Sequence, residues 1–507
     1  MTHEDNEQQI VPITYDGKLL LIGVGSIGLG VLPLLLRHIN FTQDKAISII
    51  TGEDRTHVAE EVHKLYGVPF LVQKLTPDNY ECILERYQLV KGDFIVNLSV
   101  DVSSVDVIKW CQKRGVLYID TVVEPWPGTY DNPELSMAQR TNYALREEAL
   151  AYLRTRPKDS STAIITHGAN PGMVSHFVKQ ALLNIAAEHF GEGSTPIPTS
   201  REEWGRLAMS LGVQAIHISE RDSQWTETTA RCGLDGVNRF VNTWSVDGFL
   251  SEGCQPAELG WGTHEKSLPV DGREHATGCG AAIFLTRPGA GTRVRSWTPQ
   301  GGAHAGYLIT HNEAISIADY FTVRSGSEET DVRWRPTVMY AYRPCDSAVL
   351  ALEELAAQNW NKDFFTEKVV VVEEIQGGVD ELGVLIMGSK SSSDDGVGVV
   401  VEPYAYWYGS QLECNAARKL AKYNSATSLQ VTSAVLAGVL WAIRNPNRGV
   451  LEPEYLPYDE ILDTMSPYIS PVVGVFTDWT PLNGKGVLFP EDMDQSDPWQ
   501  FKNIRIV

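Results

Sequence analysis

The stretch LLLIGVGSIGLG, residues 19–30, decides the fold of the N-terminal region. Its first four residues are apolar and predict a short strand, and the glycines that follow have the spacing GxGxxG before an apolar helical segment. Gly23 permits a tight turn, Gly25 lets the backbone approach a pyrophosphate, and Gly28 lets the helix pack closely on the strand. The stretch therefore predicts a dinucleotide-binding strand, turn and helix, although a glycine-rich turn without a ligand has the same letters.

Neighbouring residues extend the predicted cofactor site. Backbone N–H groups at the start of the helix, which includes Ser26 and Ile27, would face the phosphates. A second apolar strand at residues 46–50 comes at the expected interval and is followed by Glu53 and Asp54. One of these two would accept hydrogen bonds from the ribose hydroxyls, which favours NAD over a cofactor with a 2′-phosphate. Both could equally be solvated turn residues, and the sequence does not choose between them.

Composition limits the function classes. The chain has 507 residues, 43% of them apolar and 21% charged, which is enough for two or three domains with a large core. The formal net charge of −22 argues against nucleic-acid binding and is compatible with a cationic small substrate, although the acidic surface of a cytoplasmic enzyme accounts for most of it. The seven cysteines form no CxxC pair, so we expect reduced thiols, neither a disulfide frame nor a metal site.

Two apolar stretches resemble membrane spans. Residues 19–36 carry no charge, but four glycines and Pro33 lie among them and no basic segment precedes them. Residues 425–443 contain Ser, Thr and Gln and predict a buried helix in a soluble core. We therefore expect no signal peptide and no membrane anchor.

Polar residues follow several predicted strands of the Rossmann sheet. The carboxyl ends of parallel strands lie at one edge of such a sheet, where its loops meet the cofactor. These side chains are therefore expected near the nicotinamide. They are Asn97, Ser99 and Asp101 after the strand at 94–98, Asp120, Thr121 and Glu124 after the strand at 116–119, and Asn170 in a turn after the strand at 163–165.

The fold class is α/β, with a Rossmann dinucleotide-binding domain and a second, mixed α+β domain. Residues 1–165 form the predicted Rossmann domain, which a helix near 425–445 is expected to rejoin. Residues 166–424 form the predicted second domain, and residues 446–507 form a C-terminal segment without a predicted position. A long helix is predicted over residues 137–154.

Carboxylates and aromatic residues gather in three strings of the second domain. Together they predict a pocket for an ammonium ion, through charge pairing and through cation–π contact worth about 0.5–2 kcal/mol. The plainer alternatives are a core tryptophan, rim salt bridges and structural histidines. The strings supply Glu220 and Asp222, then Trp244, Asp247 and Glu252, and finally His304, His311 and Glu313.

Seven strings follow one another along the chain: GVGSIG, NLSVDVSS, DTVVEPW, HGANPGMVSHFVKQAL, HISERD, NTWSVDGFLSEG and THNEAIS. In this order they closely resemble the bacterial homospermidine synthases, a family related to saccharopine and carboxynorspermidine dehydrogenases. The resemblance extends at least to the segment TSLQVTSAVLAG at residues 427–438. It implies an NAD-dependent transferase that joins two putrescines, or an aminobutyl group from spermidine and a diamine, into homospermidine. Ammonia is released and the hydride is recycled. It also implies a cytoplasmic homodimer that dimerises through the second domain.

The resemblance also implies roles for individual residues. Glu220 and Glu252 bind the amines and transfer protons, whereas Asn170 and Glu124 orient the substrate beside the nicotinamide. Trp244 faces the cationic intermediates. The remaining implied site residues are His311, Asp101 close to the cofactor, and Asp380 for the distal amine.

Two alternatives remain open at this stage. The first is an NAD(P)H-dependent reductive condensation of the saccharopine or carboxynorspermidine type, whose carboxylate substrates would require arginines in the pocket. The second is a non-catalytic NAD sensor that keeps only the fold.

Overall fold

The computed structural model describes residues 10–52, 55–130, 132–227, 231–232, 237–326, 331–370, 372–394 and 398–507. Glu53 and Asp54 lie outside the described residues, so the ribose contact predicted for one of them stays a prediction.

The N-terminal region alternates strands and helices, because short apolar runs there alternate with longer amphipathic segments. Strands β2, β4, β5, β6, β7 and β8 belong to one parallel sheet, in the spatial order β5, β4, β2, β6, β7, β8. The elements are β1 (Ile13–Tyr15), β2 (Leu19–Ile22), α1 (Ser26–His38), β3 (Ile39–Phe41), β4 (Ile47–Thr51), α2 (Thr56–Tyr66), β5 (Phe70–Val72), α3 (Tyr80–Glu85), β6 (Phe94–Asn97), α4 (Ser104–Arg114), β7 (Leu117–Asp120), α5 (Asn142–Arg154) and β8 (Ala163–Ile164).

The single helix predicted over residues 137–154 is wrong. The structure has a 3₁₀ turn at Met137–Arg140 and begins α5 only at Asn142. The side chain of Glu258 accepts the backbone N–H groups of Asn142 and Tyr143, at 2.7 and 3.2 Å. A carboxylate at this position stabilises a helix start, and it comes from a distant part of the chain that no local pattern could reveal.

The second region is built on a large mixed sheet. Its strands follow the order β13, β14, β12, β19, β9, β21, β22, with β9 parallel to β19 and antiparallel to β21. The elements are α6 (Met173–Phe190), α7 (Arg201–Ser210), β9 (Val213–Asp222), β10 (Arg231–Cys232), β11 (Asn238–Asn242), α8 (Val246–Cys254), β12 (Pro256–Gly260), β13 (Gly272–Glu274), β14 (Ala282–Pro288), β15 (Arg293–Thr298), β16 (Gly302–Tyr307), α9 (Asn312–Tyr320), β17 (Val323–Arg324), β18 (Val332–Trp334), β19 (Thr337–Arg343), α10 (Asp346–Ala357), β20 (Glu367–Val370), β21 (Val379–Asp394) and β22 (Gly398–Glu413).

The C-terminal residues contribute to both sheets. Strand β23 pairs with β8 of the Rossmann sheet, whereas β24 pairs with β22 and β25 pairs with β15. No position was predicted for residues 446–507, and the boundaries drawn between the domains stay a prediction. The elements are α11 (Cys414–Leu420), α12 (Ala426–Arg444), β23 (Val450–Leu451), α13 (Tyr458–Ile469), β24 (Val472–Thr477), α14 (Phe501–Ile504) and β25 (Arg505–Ile506).

Helix α12 lies against the Rossmann domain. Just before it, the Asn424 side-chain amide donates to the carbonyl of Gly30 in α1, at 3.1 Å. In the part of the chain that the structure describes, α12 is the one helix long and apolar enough to cross a membrane, and 89% of its apolar window is buried inside the protein. It packs as the core helix that its Ser, Thr and Gln content predicts.

Candidate active site

The glycine turn has different surroundings at each glycine. Gly23 has a φ of +92°, and a Cβ there would lie 2.9 Å from the backbone of Leu98. A Cβ on Gly28 would lie 2.2 Å from the carbonyl oxygen of Gly23, so close packing excludes any side chain there. Gly25, in contrast, has open space around it and precedes the first turn of α1, where Ser26 begins the helix.

The start of α1 fits a bound pyrophosphate. No side chain caps the helix, and its first turn, which contains Ser26 and Ile27, has no acidic residue. Free backbone N–H groups at a helix N-terminus, beside a glycine without steric cover, form an anion site. The residues present therefore fit a dinucleotide at this edge.

The edge of the Rossmann sheet carries a buried polar chain. Asn97 accepts a hydrogen bond from the Ser99 hydroxyl at 2.9 Å and donates to the Tyr118 hydroxyl at 3.2 Å. Tyr118 donates to Asp120 at 2.8 Å, and Asp120 accepts the backbone N–H of Thr166 at 2.7 Å. Burial raises the pKa of Asp120 to about 7. Asn97 and Asp120 thus bond to protein groups at this edge, and their predicted contact with the nicotinamide stays a prediction.

Glu124 lies on the loop after β7, where acidic groups from both domains meet. Burial, followed by the negative charges of Glu252, Asp101 and Asp120, raises the pKa of Glu124 to about 8. Asp101 itself is exposed, with a φ of +65°. Thr121, the other predicted residue of this loop, packs on Gly168. A Cβ added to Gly168 would lie 3.4 Å from the side chain of Thr121.

Glu220 joins the two sheets. It lies near the end of β9, is 2% exposed, and its Oε2 atom accepts hydrogen bonds from Asn170 at 3.0 Å and from the Tyr340 hydroxyl at 2.6 Å. Asn170 follows β8 of the Rossmann sheet. Burial raises the pKa of Glu220 to about 8. The hydrogen bond between Asn170 and Glu220 therefore places a buried acid of the second sheet against the cofactor edge of the first.

Two further buried acids face each other across neighbouring strands. Asp222 of β9 and Asp380 of β21 are register partners. The Thr243 hydroxyl donates to Asp222 at 2.5 Å and the Thr427 hydroxyl donates to Asp380 at 2.6 Å, while Gln224 bonds to both Asp222 and Thr427. Burial raises the pKa of Asp222 to about 6, and raises the pKa of Asp380 well above its usual value.

We call Glu220, Asp222 and Asp380 the acidic cluster. Within the described residues, its hydrogen bonds come from neutral groups, and no Lys or Arg pairs with it. A carboxylate that leaves water without a cation loses much hydration energy, so it either binds a proton or requires a positive ligand. The acidic cluster is therefore suited to a buried cation.

Three aromatic residues stand beside the acidic cluster, and we call them the aromatic wall. The rings of Tyr340 and Tyr342 stack with centroids 5.2 Å apart, and the indole N–H of Trp244 donates to the Tyr342 hydroxyl at 2.9 Å. Sequence reasoning missed both tyrosines. Their alternation in the string YAYR was the available signal, because it places both rings on one face of β19, opposite Ile218 and Glu220 of β9.

His311 lies between two carboxylates. Its Nε2 atom is 3.1 Å from Glu252 and its Nδ1 atom is 3.2 Å from Glu313. Burial lowers the pKa of His311, but the charges of Glu313 and Glu252 raise it, and it ends well above its ordinary value. The His311 ring also lies 4.4 Å from the ring of Tyr340, which connects it to the aromatic wall.

The other acids and histidines singled out in the sequence lie elsewhere. Asp247 forms a surface ion pair with Lys368 at 2.6 Å, and His304 bonds to the carbonyl of Gly302 within the same strand, β16. Among the residues that the structure describes, no group of three or more His, Cys, Asp or Glu side chains is arranged to hold a metal ion.

Comparison with known proteins gives consistent results. The sequence-family model of the saccharopine dehydrogenase NADP binding domain matches residues 19–164. The family model of the saccharopine dehydrogenase C-terminal domain matches residues 168–478. The chain is 49% identical over 493 residues to the homospermidine synthase of Blastochloris viridis, covering 97% of this chain and 98% of that one. It is 48% identical over 492 residues to the homospermidine synthase of Mesorhizobium japonicum, covering 97% and 96%.

A solved structure is similar over the whole chain. The crystal structure of the homospermidine synthase of Legionella pneumophila in complex with NAD has a TM-score of 0.85 and 42% identity, covering 98% of this chain and 99% of that chain.

Proposed function

The chain belongs to the homospermidine synthase family, and from that premise we propose that it joins two putrescine molecules into homospermidine and releases ammonia. It is an NAD-dependent enzyme with a Rossmann domain and a second domain. One observation carries the proposal: the hydrogen bond between Asn170 and Glu220 joins a buried acidic cluster to the cofactor edge. A substrate bound there would be a cation close to the nicotinamide.

The acidic cluster and the aromatic wall together match a diamine. Putrescine is doubly protonated near neutral pH, so it would pair with buried carboxylates that no Lys or Arg pairs with among the described residues. Trp244 adds an aromatic face, held in one orientation by its bond to Tyr342, which can stabilise an ammonium or iminium group. Asp380 would bind the distal amine, since its Oδ1 atom is buried and has no hydrogen-bond partner in the described part of the chain.

The chemistry requires proton transfers at defined atoms. NAD, when bound at the glycine turn, supplies a reversible acceptor for the hydride of the amine-bearing carbon. That carbon can release hydride only after its ammonium group loses a proton. The Oε1 atom of Glu220 would accept this proton, since both hydrogen bonds of Glu220 among the described residues go to Oε2. A carboxyl whose pKa is near 8 can also return the proton. Glu124, with a similar pKa, would protonate the leaving ammonia.

The second putrescine then reacts at the carbon from which the hydride was removed. The amine of a second putrescine replaces ammonia there and forms a new imine, which takes back the hydride to give a secondary amine. Two putrescines therefore yield one homospermidine and one ammonia, with no net oxidation. Asn170, bonded to Glu220, would keep the reacting carbon in one position beside the nicotinamide during both hydride transfers.

A recycling assay tests the proposal. Purified protein, excess putrescine and a trace of NAD should give homospermidine and ammonia in equal amounts, with no net change at the nicotinamide absorbance band. Product limited to the amount of NAD added, with that NAD converted to NADH, would contradict recycling. Consumption of NADPH or NADH in a parallel reaction that supplies the reduced cofactor and a carbonyl substrate would support the reductive-condensing alternative. The structure offers that alternative no support, because its carboxylate substrates would require arginines and no arginine pairs with the acidic cluster in the described residues.

We also propose a cytoplasmic homodimer. The side chains of Cys82, Cys111, Cys254, Cys279, Cys345 and Cys414 are free thiols, as in a reducing compartment. The homodimer rests on the family resemblance, and light scattering would decide it by a mass twice that of the chain.

Spermidine as donor of the aminobutyl group is a further part of the proposal. It is tested by adding spermidine beside putrescine in the same assay, where diaminopropane should appear in addition to ammonia.

A further inference from the structure

The contacts of His311 determine its protonation state. Both ring nitrogens lie within hydrogen-bonding distance of a carboxylate oxygen, Nε2 at 3.1 Å from Glu252 and Nδ1 at 3.2 Å from Glu313. An ionised carboxylate only accepts hydrogen bonds, and a neutral imidazole has a single N–H. A neutral ring would therefore point a lone pair at one of the two carboxylates. Only the doubly protonated ring satisfies two ionised carboxylates.

Glu313 faces His311 from a fully enclosed position. Its side chain is 0% exposed and lies in the first turn of α9, two residues after His311, which occupies the N-cap position of that helix without a side-chain capping bond. One carboxylate oxygen meets His311, and the other has no hydrogen-bond partner within the described residues. Such a buried carboxylate is stabilised by the helix N-terminus and by a neighbouring cation, and His311 is that cation.

The groups around His311 favour this state from every side. Glu252 comes from α8, Glu313 from α9 and Tyr340 from β19, with its ring 4.4 Å away. Glu220 on β9 is the fourth group near His311, and the charge of His311 acts to lower the pKa of that acid. Three of these four groups are acidic, and Tyr340 is a neutral phenol.

We propose that Glu313 is a positioning residue that keeps His311 a permanent cation and thereby fixes the carboxylate of Glu252 in the active site. His311 then serves as a clamp and not as the general base. The proton acceptor of the reaction must be a carboxylate. The inference rests on the proposed function for the role of Glu252, whereas the charge of His311 is a property of the protein alone.

The test is a nuclear magnetic resonance titration of the NAD-loaded protein labelled with ¹⁵N histidine. The variant His311→Gln identifies the signal of His311. In the parent protein, both ring nitrogens should carry hydrogen at pH values where an ordinary histidine, with a pKa of about 6.5, is neutral. In Glu313→Gln, which keeps the shape of the side chain and removes its charge, the midpoint should fall by about 1–3 pH units.

A matched control is the variant Glu454→Gln. Glu454 is also fully buried and accepts a hydrogen bond from Ser316 of the same helix α9, but it does not contact His311. Its loss should leave the His311 midpoint where it is. Equal shifts in both variants would overturn the proposal, as would a parent His311 that is neutral near pH 7.

The conservative variant Glu313→Asp covers the case in which Glu313→Gln does not fold. It retains the charge and should keep His311 protonated at neutral pH, and a neutral ring in that variant would count against the proposal. Because the titration involves no turnover, its result is separate from the recycling assay. A protein that makes no homospermidine but keeps His311 protonated would lose the proposed function and retain the inference.

Discussion

The two sides of the site are built differently. The cofactor side consists of the glycine turn, where successive residues of one segment form the whole arrangement, and Gly25 leaves its backbone uncovered. The substrate side takes its groups from β9, β19, β21 and the segments before α6 and α8, and almost all of them are buried side chains. Binding on the cofactor side depends on open space around the backbone of the glycine turn, and binding on the substrate side depends on the charge of buried side chains. Substitutions should therefore distinguish the two sides. A side chain added at the glycine turn should weaken NAD binding, whereas a change of charge on the substrate side should lower turnover.

The largest expected effect is that of Glu220→Gln. The variant keeps the shape of the side chain but cannot accept a proton, so turnover should fall by about 10²- to 10⁴-fold, while NAD binding measured by calorimetry stays unchanged. The control Asp247→Asn removes a carboxylate of the surface ion pair with Lys368 and should change neither quantity. A Glu220→Gln protein that still turns over at the parent rate would show that charge does not govern the substrate side.

The glycines allow a matched test of the cofactor side. In Gly28→Ala the new Cβ meets the Gly23 carbonyl oxygen, so the fold should lose about 1–3 kcal/mol of stability. In Gly25→Ala the Cβ meets no protein atom, so thermal stability without cofactor should be unchanged, and NAD affinity should fall several-fold. If Gly25→Ala binds NAD as tightly as the parent, the cofactor does not approach this turn.

Trp244 tests the aromatic wall on a smaller scale. Phe retains an aromatic face and Leu does not, so the loss of kcat/KM should be greater in Trp244→Leu, by the roughly 0.5–2 kcal/mol that a cation–π contact supplies. Equal losses in the two variants would show that Trp244 acts through its volume or through its bond to Tyr342.

The pH dependence of stability in the absence of substrate tests the charge of the substrate side separately. Burial raises the folded-state pKa of Glu220 to about 8, so the unfolded chain releases this proton at lower pH than the folded chain does. Stability should therefore decline as the pH rises from about 4.5 to 8, and less so in Glu220→Gln. Putrescine should offset the decline. A parent and variant with parallel melting temperatures over this range would contradict the raised pKa.

The contrast between the cofactor side and the substrate side also explains how much of the structure the sequence could predict. The glycine turn was predictable because its determinants are contiguous, and Gly23 and Gly28 pack as their spacing indicates. Several acids of the site were also singled out from local acidic and aromatic strings, but their individual roles came from the resemblance to a family. Tyr340 and Tyr342 were missed, because their importance comes from the register between β19 and β9, which no single segment encodes.

Long-range contacts explain the remaining differences. The start of α5 is set by Glu258, more than a hundred residues away in the chain. Asn97 and Asp120 follow the predicted strands, yet their side chains bond to Ser99, Tyr118 and Thr166. A strand pattern identifies which residues reach the sheet edge, and only the neighbours decide what each side chain then binds.

The most direct measurement is the fate of deuterium from putrescine labelled on both amine-bearing carbons, with NAD and a pool of unlabelled NADH in solution. A hydride that is removed and returned within one closed site gives homospermidine that retains all of the label at those carbons. Homospermidine with one deuterium replaced by hydrogen, or label released into the pool of free cofactor, would contradict recycling beside the acidic cluster.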